Sequence, residues 1–314
     1  MTVFRITEPG LYPGINESTY FDDPCPSPSL TPSIAKILLD RSPLHARYSH
    51  PRLETPDDDE TEERYDSAKA IGNAVHAVVL GRGREIAEGN FDAWTTKEAK
   101  AFKSDALAAG KIVILSKHMA RAHRMVQALN RQIAAHEAAD AFQNGKGEVM
   151  LAWREGDVWF RTLIDWLHDD HRTVDDLKTT GMSAAPQAIP VKLVEDCWDI
   201  RAAFIERGLD ALDPRGAGRR RFRFIAQENR PPFALTVNAL PEGTMTMGRK
   251  RAAEAIEIWR ECFLADRWPA YPPLINWPQY PPWAESRWLY REVEEDERRK
   301  SGPKISVAAG EYRP

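Results

Sequence analysis

The 314-residue sequence is poor in cysteine and has no long apolar run. Its three cysteines (Cys25, Cys197 and Cys262) are scattered and match no zinc or iron–sulfur spacing, so we expect reduced thiols in a cytoplasmic protein. No segment approaches the roughly 20 apolar residues of a membrane span. The N-terminus also lacks the basic-then-apolar pattern of a secretory leader. We therefore expect no association with a membrane.

The sequence also lacks an excess of basic residues, since its formal net charge is −4. Many DNA-binding proteins are basic overall, so the composition gives no support to chain-wide attraction to nucleic acid. An enzyme with its positive charge confined to one groove remains compatible with this balance. Hydrophobic residues make up 42% of the chain and ten residues are tryptophan, which indicates a globular protein with an ample core.

The pattern of helices and strands predicts three regions. Residues 1–30 are rich in proline, glycine and serine, and we expect them to be irregular. Residues 31–269 read as a domain in which helices alternate with a three-strand meander and two later strands. Residues 270–314 form a tail with clustered proline and tryptophan, followed by charged residues. The order of elements predicts an α+β (mixed α/β) fold, with a central mixed sheet flanked by helices.

Periodicity and turn residues predict the individual elements. The expected strands are 111–115, 148–153, 158–167, 173–179, 222–227 and 233–240. The expected helices include 65–80, 97–109, 116–142, 185–212 and 244–266. The turn at residues 154–157 predicts a hairpin between the first two strands of the meander.

The segment RTLIDWLHDDHRTVDDLKTT (161–180) carries the strongest chemical signal. Period-2 alternation places Asp176 and Lys178 on one face of a strand. A turn at residues 169–172 would bring Asp165 beside Asp176. Two carboxylates next to an ammonium suit a Mg²⁺-dependent phosphodiesterase, because Mg²⁺ prefers hard oxygen ligands. Acid-x-lysine triplets also arise by chance in soluble proteins, so the triplet alone leaves an ordinary turn and surface strand open.

The same residues resemble a known nuclease family. With His76, Asp165 and Asp176-Leu177-Lys178 in that order, the sequence resembles the PD-(D/E)xK superfamily. Within it, the chain looks like the RecB-type branch that includes phage exonuclease VIII-like (RecE-like) exonucleases. AIGNAVHAVVLG (70–81) resembles the small-residue helix of that branch with its histidine, and VDDLKTTGMSA resembles its active-site strand. The resemblance covers Ile34 to Pro269 and implies a restriction-endonuclease-like core.

The resemblance implies the roles of the residues that match it. His76, Asp165, Asp176 and the Leu177 carbonyl become metal ligands, and Lys178 orients the attacking water or stabilises charge on the phosphate. The implied cofactor is Mg²⁺. Because one ligand is an imidazole, which Mn²⁺ accepts more readily, Mn²⁺ should substitute.

Further residues are weaker candidates or depart from the family pattern. Glu148 is a candidate accessory acid, although a glutamate at a strand start is also a common surface residue. Arg161 shares a face with Asp165 by alternation, so it could reach a DNA phosphate. Arg201 and Ile205 stand where the family often has glutamine and tyrosine, and Arg201 could still hold a phosphate. Asp175 replaces a usually apolar residue, as a charge at the sheet edge or as part of a modified site.

The implied function is a metal-dependent exodeoxyribonuclease that degrades double-stranded DNA ends for phage-type single-strand-annealing recombination. The implied partners are DNA ends, a single-strand annealing protein and further copies of this chain. Two alternatives stay open. One is a nuclease-fold protein that binds DNA or a partner with little catalysis, and the other is a structure-specific endonuclease.

Overall fold

A computed structural model describes residues 4–53, 67–81 and 83–301. Its strands are β1 (Gly10–Pro13), β2 (Ser29–Leu30), β3 (Ile86–Gly89), β4 (Ile112–Leu115), β5 (Gly145–Glu155), β6 (Val158–His168), β7 (Thr173–Thr180), β8 (Arg221–Glu228) and β9 (Leu235–Ala239). Its helices are α1 (Glu17–Phe21), α2 (Pro32–Asp40), α3 (Pro43–Tyr48), α4 (Ser67–Leu80), α5 (Lys97–Ala108), α6 (Ser116–Ala134), α7 (Ile189–Glu195), α8 (Trp198–Leu212), α9 (Glu242–Ala265) and α10 (Pro282–Ser301). Contacts divide the chain into two units, Met1–Tyr271 and Pro272–Pro314.

The first unit is built on a seven-stranded mixed sheet in the order β1-β5-β6-β7-β8-β9, with β2 pairing parallel to β6. The β5–β6–β7 meander is antiparallel and β7 pairs parallel with β8. Strands β3 and β4 form a separate parallel pair. The predicted mixed α/β fold with a central mixed sheet is thus confirmed, and the hairpin predicted at residues 154–157 turns between Glu155 and Val158.

Helices cover both faces of this sheet. On one face, α2, α8 and α9 enclose a core that includes the fully buried rings of Trp153, Phe160 and Phe204. On the other face, α4 and α6 pack over Leu177 and Ile225. Burial of a side chain of this size contributes about 1.5–3 kcal/mol, so these two cores fix the position of β7 between them.

Close approach of α4 to β7 explains the small residues in that helix. A Cβ atom added at Gly72 would lie 2.7 Å from the Thr179 hydroxyl oxygen, closer than such atoms approach in proteins. Ala74 and Val75 are fully buried beside it. Helix α4, which carries His76, therefore rests directly on the end of β7.

The prediction that residues 1–30 are irregular is wrong, because they contribute β1, α1 and β2. Strand β1 pairs antiparallel with β5 over Gly10–Pro13, and β2 pairs with β6. Prolines and glycines lie at the ends of these short elements, where they do not interrupt pairing. The sequence pattern is weak because the partner strands lie more than a hundred residues along the chain.

Two predicted helices are shorter than expected. The segment 185–212 is split into α7 and α8, because Cys197 adopts a left-handed conformation with φ of 52°. Helix α6 ends at Ala134, and the turns beyond it include Phe142 and Asn144 with positive φ. The strand pair β3–β4 included one strand, β3, that the sequence pattern did not predict.

The second unit contains α10, which has no buried residue. Trp277, Trp283 and Trp288 are all exposed, whereas Trp268, in the first unit, packs on Trp259 with ring centroids 5.1 Å apart. Within the described ranges, no helix is both long and apolar enough to span a bilayer.

Candidate active site

The two faces of β7 carry different chemistry. Asp176 and Lys178 lie on one face and form an ion pair, as alternation predicts. The Asp176 carboxylate is 2% exposed, and the Lys178 side chain reaches partly into solvent. A lysine stem of four carbons allows this, because the ammonium is carried away from the buried strand.

The β6–β7 hairpin brings Asp165 to the same place. Trp166 pairs with Asp175, so the register continues with Asp165 opposite Asp176. The Asp165 Oδ2 atom accepts a hydrogen bond of 3.0 Å from the backbone N–H of Leu177. This bond fixes the carboxylate across the gap between the strands.

His76 reaches this pair from α4. Its Nδ1 atom lies 3.7 Å from Asp165 Oδ2, although the two residues are 89 positions apart in the sequence. Nothing local links them; the packing of Gly72 on Thr179 sets the distance. The structure therefore brings together His76, Asp165, Asp176 and Lys178.

Arg201 completes the cluster from α8. Its Nη2 atom donates to Asp165 Oδ1 at 2.8 Å and to the Leu163 carbonyl at 2.9 Å. Its Nε atom donates to Asp176 Oδ2. The sequence pointed to a phosphate contact at this position, whereas in this structure the guanidinium bridges the two carboxylates.

These charges set the ionisation of Asp176. Burial on its own raises the pKa of the Asp176 carboxyl, but the adjacent Arg201 and Lys178 cations outweigh burial and hold the pKa below its ordinary value. Asp176 is therefore an anion at neutral pH. An anionic, buried carboxylate has the charge that a hard metal ion requires.

A cavity of about 270 Å³ opens beside the cluster. The residues lining it include Glu17, Tyr20, His76, Glu148, Asp165 and Arg201. Glu17 and Tyr20 come from α1, and no sequence pattern indicated that this N-terminal helix would line the cavity. Glu17 is paired with Arg84 at 2.8 Å.

Glu148 lies in the same row of residues as the two aspartates. The pairs 147–166 and 149–164 flank it, so the register places Glu148 opposite Asp165. Its backbone adopts a left-handed conformation with φ of 48°, which is costly for a residue other than glycine. The row across β5, β6 and β7 thus reads Glu148, Asp165, Asp176, and its accessory role stays a prediction.

The donor chemistry at this site fits a divalent metal. An imidazole nitrogen and two carboxylates lie together, and carboxylate oxygens are the ligands that Mg²⁺ and Mn²⁺ prefer. Among the residues that the structure describes, no three His, Cys, Asp or Glu side chains converge as a ready-made metal cage. Arg201 lies between the two aspartates and bonds one oxygen of each. The Leu177 carbonyl stays a predicted ligand.

The suggestion that Arg161 reaches a DNA phosphate is wrong. Its side chain is 3% exposed and donates to the Tyr20 carbonyl at 3.0 Å and the Ser29 carbonyl at 3.0 Å. It also lies 3.1 Å from Asp23 Oδ1. Because its donors are used inside the protein, Arg161 fastens the N-terminal segment to β6, and so positions α1 beside the cavity.

Asp175 is neither a charge at the sheet edge nor part of the site. It is fully buried on the face of β7 opposite Asp176 and accepts from Arg223 Nε at 2.6 Å and the Phe142 N–H at 2.9 Å. His168 Nε2 lies 2.8 Å from Asp175 Oδ2, the oxygen that also accepts from the Phe142 N–H. Ile205, the other departure from the family pattern, lies on α8 and is buried in the core on that side of the sheet.

A larger cavity of about 1000 Å³ lies elsewhere, between α8, α9 and β8. None of the candidate site residues lines it. Four of its arginines (Arg207, Arg220, Arg223 and Arg249) are each paired with an acidic residue. Its charge is therefore neutralised internally, and its size alone indicates no chemistry.

Comparisons with known proteins identify a family and a similar fold. A family model described as a PDDEXK-like domain of unknown function (DUF3799) matches residues 53–276. No curated protein matches the sequence. The fold is similar to a crystal structure from Eubacterium rectale described as a "putative exonuclease", with a TM-score of 0.51 and 10% identity, covering 81% of this chain and 91% of the other. At this identity the likeness shows the fold alone.

Proposed function

The chain belongs to the family of PDDEXK-like domains, matched over residues 53–276, and from this premise we propose that it is a metal-dependent exodeoxyribonuclease acting on the ends of double-stranded DNA. Family membership places the chain in the PD-(D/E)xK superfamily that DLKTT and His76 indicated, and supports a nuclease. The observation that carries the proposal is the meeting of His76 with Asp165, beside Asp176 and Lys178. His76 comes from α4, whereas the other three residues come from the consecutive strands β6 and β7, much later in the chain.

Nucleases of the PDDEXK type typically use divalent metals, and we propose Mg²⁺, with Mn²⁺ as a substitute. His76, Asp165, Asp176 and the Leu177 carbonyl would hold it. A bound divalent ion supplies a more acidic water and neutralises charge on the phosphate. Two carboxylates and an imidazole nitrogen suit Mn²⁺ at least as well as Mg²⁺.

The other residues of the chain orient the reactants. Lys178 carries a positive charge on a flexible stem beside Asp176, where it positions the attacking water and stabilises negative charge that develops on the phosphate. Asp165 is held by the Leu177 N–H, which keeps its second oxygen directed at the cluster. The cavity beside His76 gives room for a phosphate group.

Resection of DNA ends for single-strand annealing, an annealing-protein partner and a homo-oligomer extend the proposal by resemblance. A second candidate function is DNA or partner binding with little catalysis. The bridge from Arg201 to both aspartates favours it, because a site held by an arginine could have lost its metal.

Incubation with linear and covalently closed circular duplexes, with Mg²⁺ or Mn²⁺, separates these functions. We expect linear DNA to be degraded from its ends and the circle to stay intact. Lys178→Ala should lower cleavage by about 10²–10⁴-fold, since it removes a group that assists proton transfer and charge stabilisation, with folding unchanged. Cleavage of the circle would identify an endonuclease.

Tight DNA binding without cleavage under either metal would instead support the binding function. Arg207→Ala is a control for the loss of a paired cation, because Arg207 pairs with Glu155, away from the site. Equal loss of cleavage in both variants would show that Lys178 has no special role.

A further inference from the structure

Arg201 occupies an unusual place for an arginine. One guanidinium bonds Asp165 Oδ1 through Nη2 and Asp176 Oδ2 through Nε, so it contacts both carboxylates of the candidate metal site at once. A third bond of 2.9 Å to the Leu163 carbonyl fixes its orientation. The planar fork of arginine makes this possible, whereas a point-like ammonium could not reproduce it.

The two carboxylates need a cation. Asp165 is 8% exposed and Asp176 is 2% exposed, and they lie on neighbouring strands. Two anions held together away from water repel each other strongly, and an adjacent positive charge removes that cost. Within the part of the chain that the structure describes, Lys178 forms an ion pair with Asp176 and none with Asp165, whereas Arg201 pairs with both aspartates.

We propose that Arg201 is an internal counter-cation that competes with the divalent metal for Asp165 and Asp176. The proposal rests on the proposed metal-dependent nuclease function. A metal bound by both aspartates needs oxygens that Arg201 holds, so loading requires the guanidinium to leave them. Arg201 is a positioning residue in this respect, and it sets the metal affinity of the site.

The surroundings allow that exchange. The Arg201 side chain is 22% exposed and lines the 270 Å³ cavity beside His76. A DNA phosphate entering this cavity would offer the released guanidinium a bidentate partner. Phosphate and metal would then favour each other's binding, because each removes what opposes the other. The site would load metal weakly in free protein and more tightly with DNA present.

The test is a titration of the full chain with Mn²⁺ in the absence of DNA, in which calorimetry measures the affinity for Mn²⁺. Arg201→Gln should bind Mn²⁺ about tenfold or more tightly than wild type, since a charge this close shifts the ion affinity of a carboxylate by a factor of that order. Arg201→Lys should lie between the two. Arg207→Gln, which removes one charge from the same helix, should bind like wild type.

Thermal melting gives a second readout. Without metal, Arg201→Gln should melt at a lower temperature than wild type. Saturating Mn²⁺ should raise the melting temperature of Arg201→Gln by more than it raises that of wild type. If Arg201→Gln does not fold, Arg201→Lys carries the test, with tighter Mn²⁺ binding than wild type expected. Equal or weaker binding in the folded variants would overturn the competition.

Asp165→Asn separates this failure from failure of the proposed function. Mn²⁺ binding that is lost in Asp165→Asn, but equal in wild type and Arg201→Gln, would overturn only the role of Arg201. An absence of Mn²⁺ binding in wild type and in all Arg201 variants would overturn the metal site and the competition together.

Discussion

Two adjacent aspartates of β7 point to opposite faces of the strand: Asp175 belongs to a buried ion-pair network, and Asp176 belongs to the candidate site. Asp175 is fully buried and is held by Arg223, His168 and the Phe142 N–H. Asp176 is almost as buried, but its partners are Arg201 and Lys178, with side chains 22% and 26% exposed. Similar burial therefore accompanies different surroundings.

The difference lies in what the partners can do next. Arg223 borders the larger cavity, but it is also bonded to Asp140 at 2.8 Å, and we call this network around Asp175 closed because it contains no candidate site residue. Arg201, one partner of Asp176, borders the smaller cavity and also bonds a second carboxylate, Asp165, so another cation can take its place there. A buried carboxylate with exchangeable partners indicates a functional site better than burial alone.

The largest effect should come from removing the charge of the exchangeable aspartate. Asp176→Asn should lower DNA cleavage by about 10²–10³-fold, because it removes an anion on which the site depends. The metal-free protein should lose some stability, since the amide no longer pairs with Arg201 and Lys178, although relief of the repulsion from Asp165 offsets part of the loss. Cleavage of an end-labelled duplex, with calorimetry of Mn²⁺ binding, measures both. Wild-type metal affinity in this variant would show that Asp176 is not a ligand.

The same substitution one residue earlier should have the opposite character. Asp175→Asn leaves Arg223 buried beside a neutral amide, and breaking such a pair costs about 3 kcal/mol. Urea unfolding should show this loss, while Mn²⁺ affinity and cleavage by the folded fraction stay at wild-type values. Asp176→Asn is the matched comparison. A stable Asp175→Asn protein with reduced metal affinity would contradict the assignment of Asp175 to stability and of Asp176 to metal binding.

Sequence patterns predicted much of the Asp176 face. Alternation in DLKTT placed Asp176 and Lys178 together, and the turn after β6 placed Asp165 beside them. The resemblance added His76, which no local pattern could connect to the acids. The sheet and most of its strands followed from periodicity, because their hydrophobic residues repeat regularly.

The Asp175 face and the N-terminal segment could not be predicted in this way. Arg161 bonds the Ser29 carbonyl 132 positions away and the Tyr20 carbonyl 141 positions away. Alternation assigned Arg161 to a face, but it cannot show that an N-terminal segment covers that face. The role of Arg201 was missed for a related reason, since its partners belong to different strands.

A substitution of His76 tests whether this histidine belongs to the candidate site with Asp165 and Asp176. His76→Ala should lower cleavage by at least about 10- to 100-fold, the loss typical of a group that only supports a metal ligand, because His76 is itself a proposed ligand; high Mn²⁺ should partly restore cleavage. The imidazole is 29% exposed, so the stability cost should be small. Cleavage assays over a Mn²⁺ series measure the rescue. Wild-type cleavage in the folded variant would remove His76 from the site.

A third aspartate, Asp23, extends the comparison and gives the smallest of the expected effects. It is fully buried and lies 3.1 Å from Arg161, 3.3 Å from His50 and 3.7 Å from Arg52. Arg52 also donates to the Cys25 carbonyl at 2.6 Å, so none of these partners leads to a candidate site residue. Burial alone raises the pKa of its carboxyl, but the hydrogen bond from His50 and the charge of Arg161 outweigh burial and lower the pKa to about 2. Asp23 thus resembles Asp175 in being held by a closed network.

A lowered pKa stabilises the folded state above the unfolded pKa of about 3.9, and that stability is lost as the pH falls towards 2. The stability difference between wild type and Asp23→Asn should therefore shrink by about 1 kcal/mol between pH 5 and pH 3. Urea unfolding at both pH values measures it, and titration of other groups cancels in the difference. Because the asparagine does not titrate, a difference that is equal at pH 5 and pH 3 would mean that the folded protein does not lower the pKa of Asp23. The closed network would then hold the carboxylate by shape alone, and the contrast with the exchangeable cations around Asp176 would no longer rest on charge.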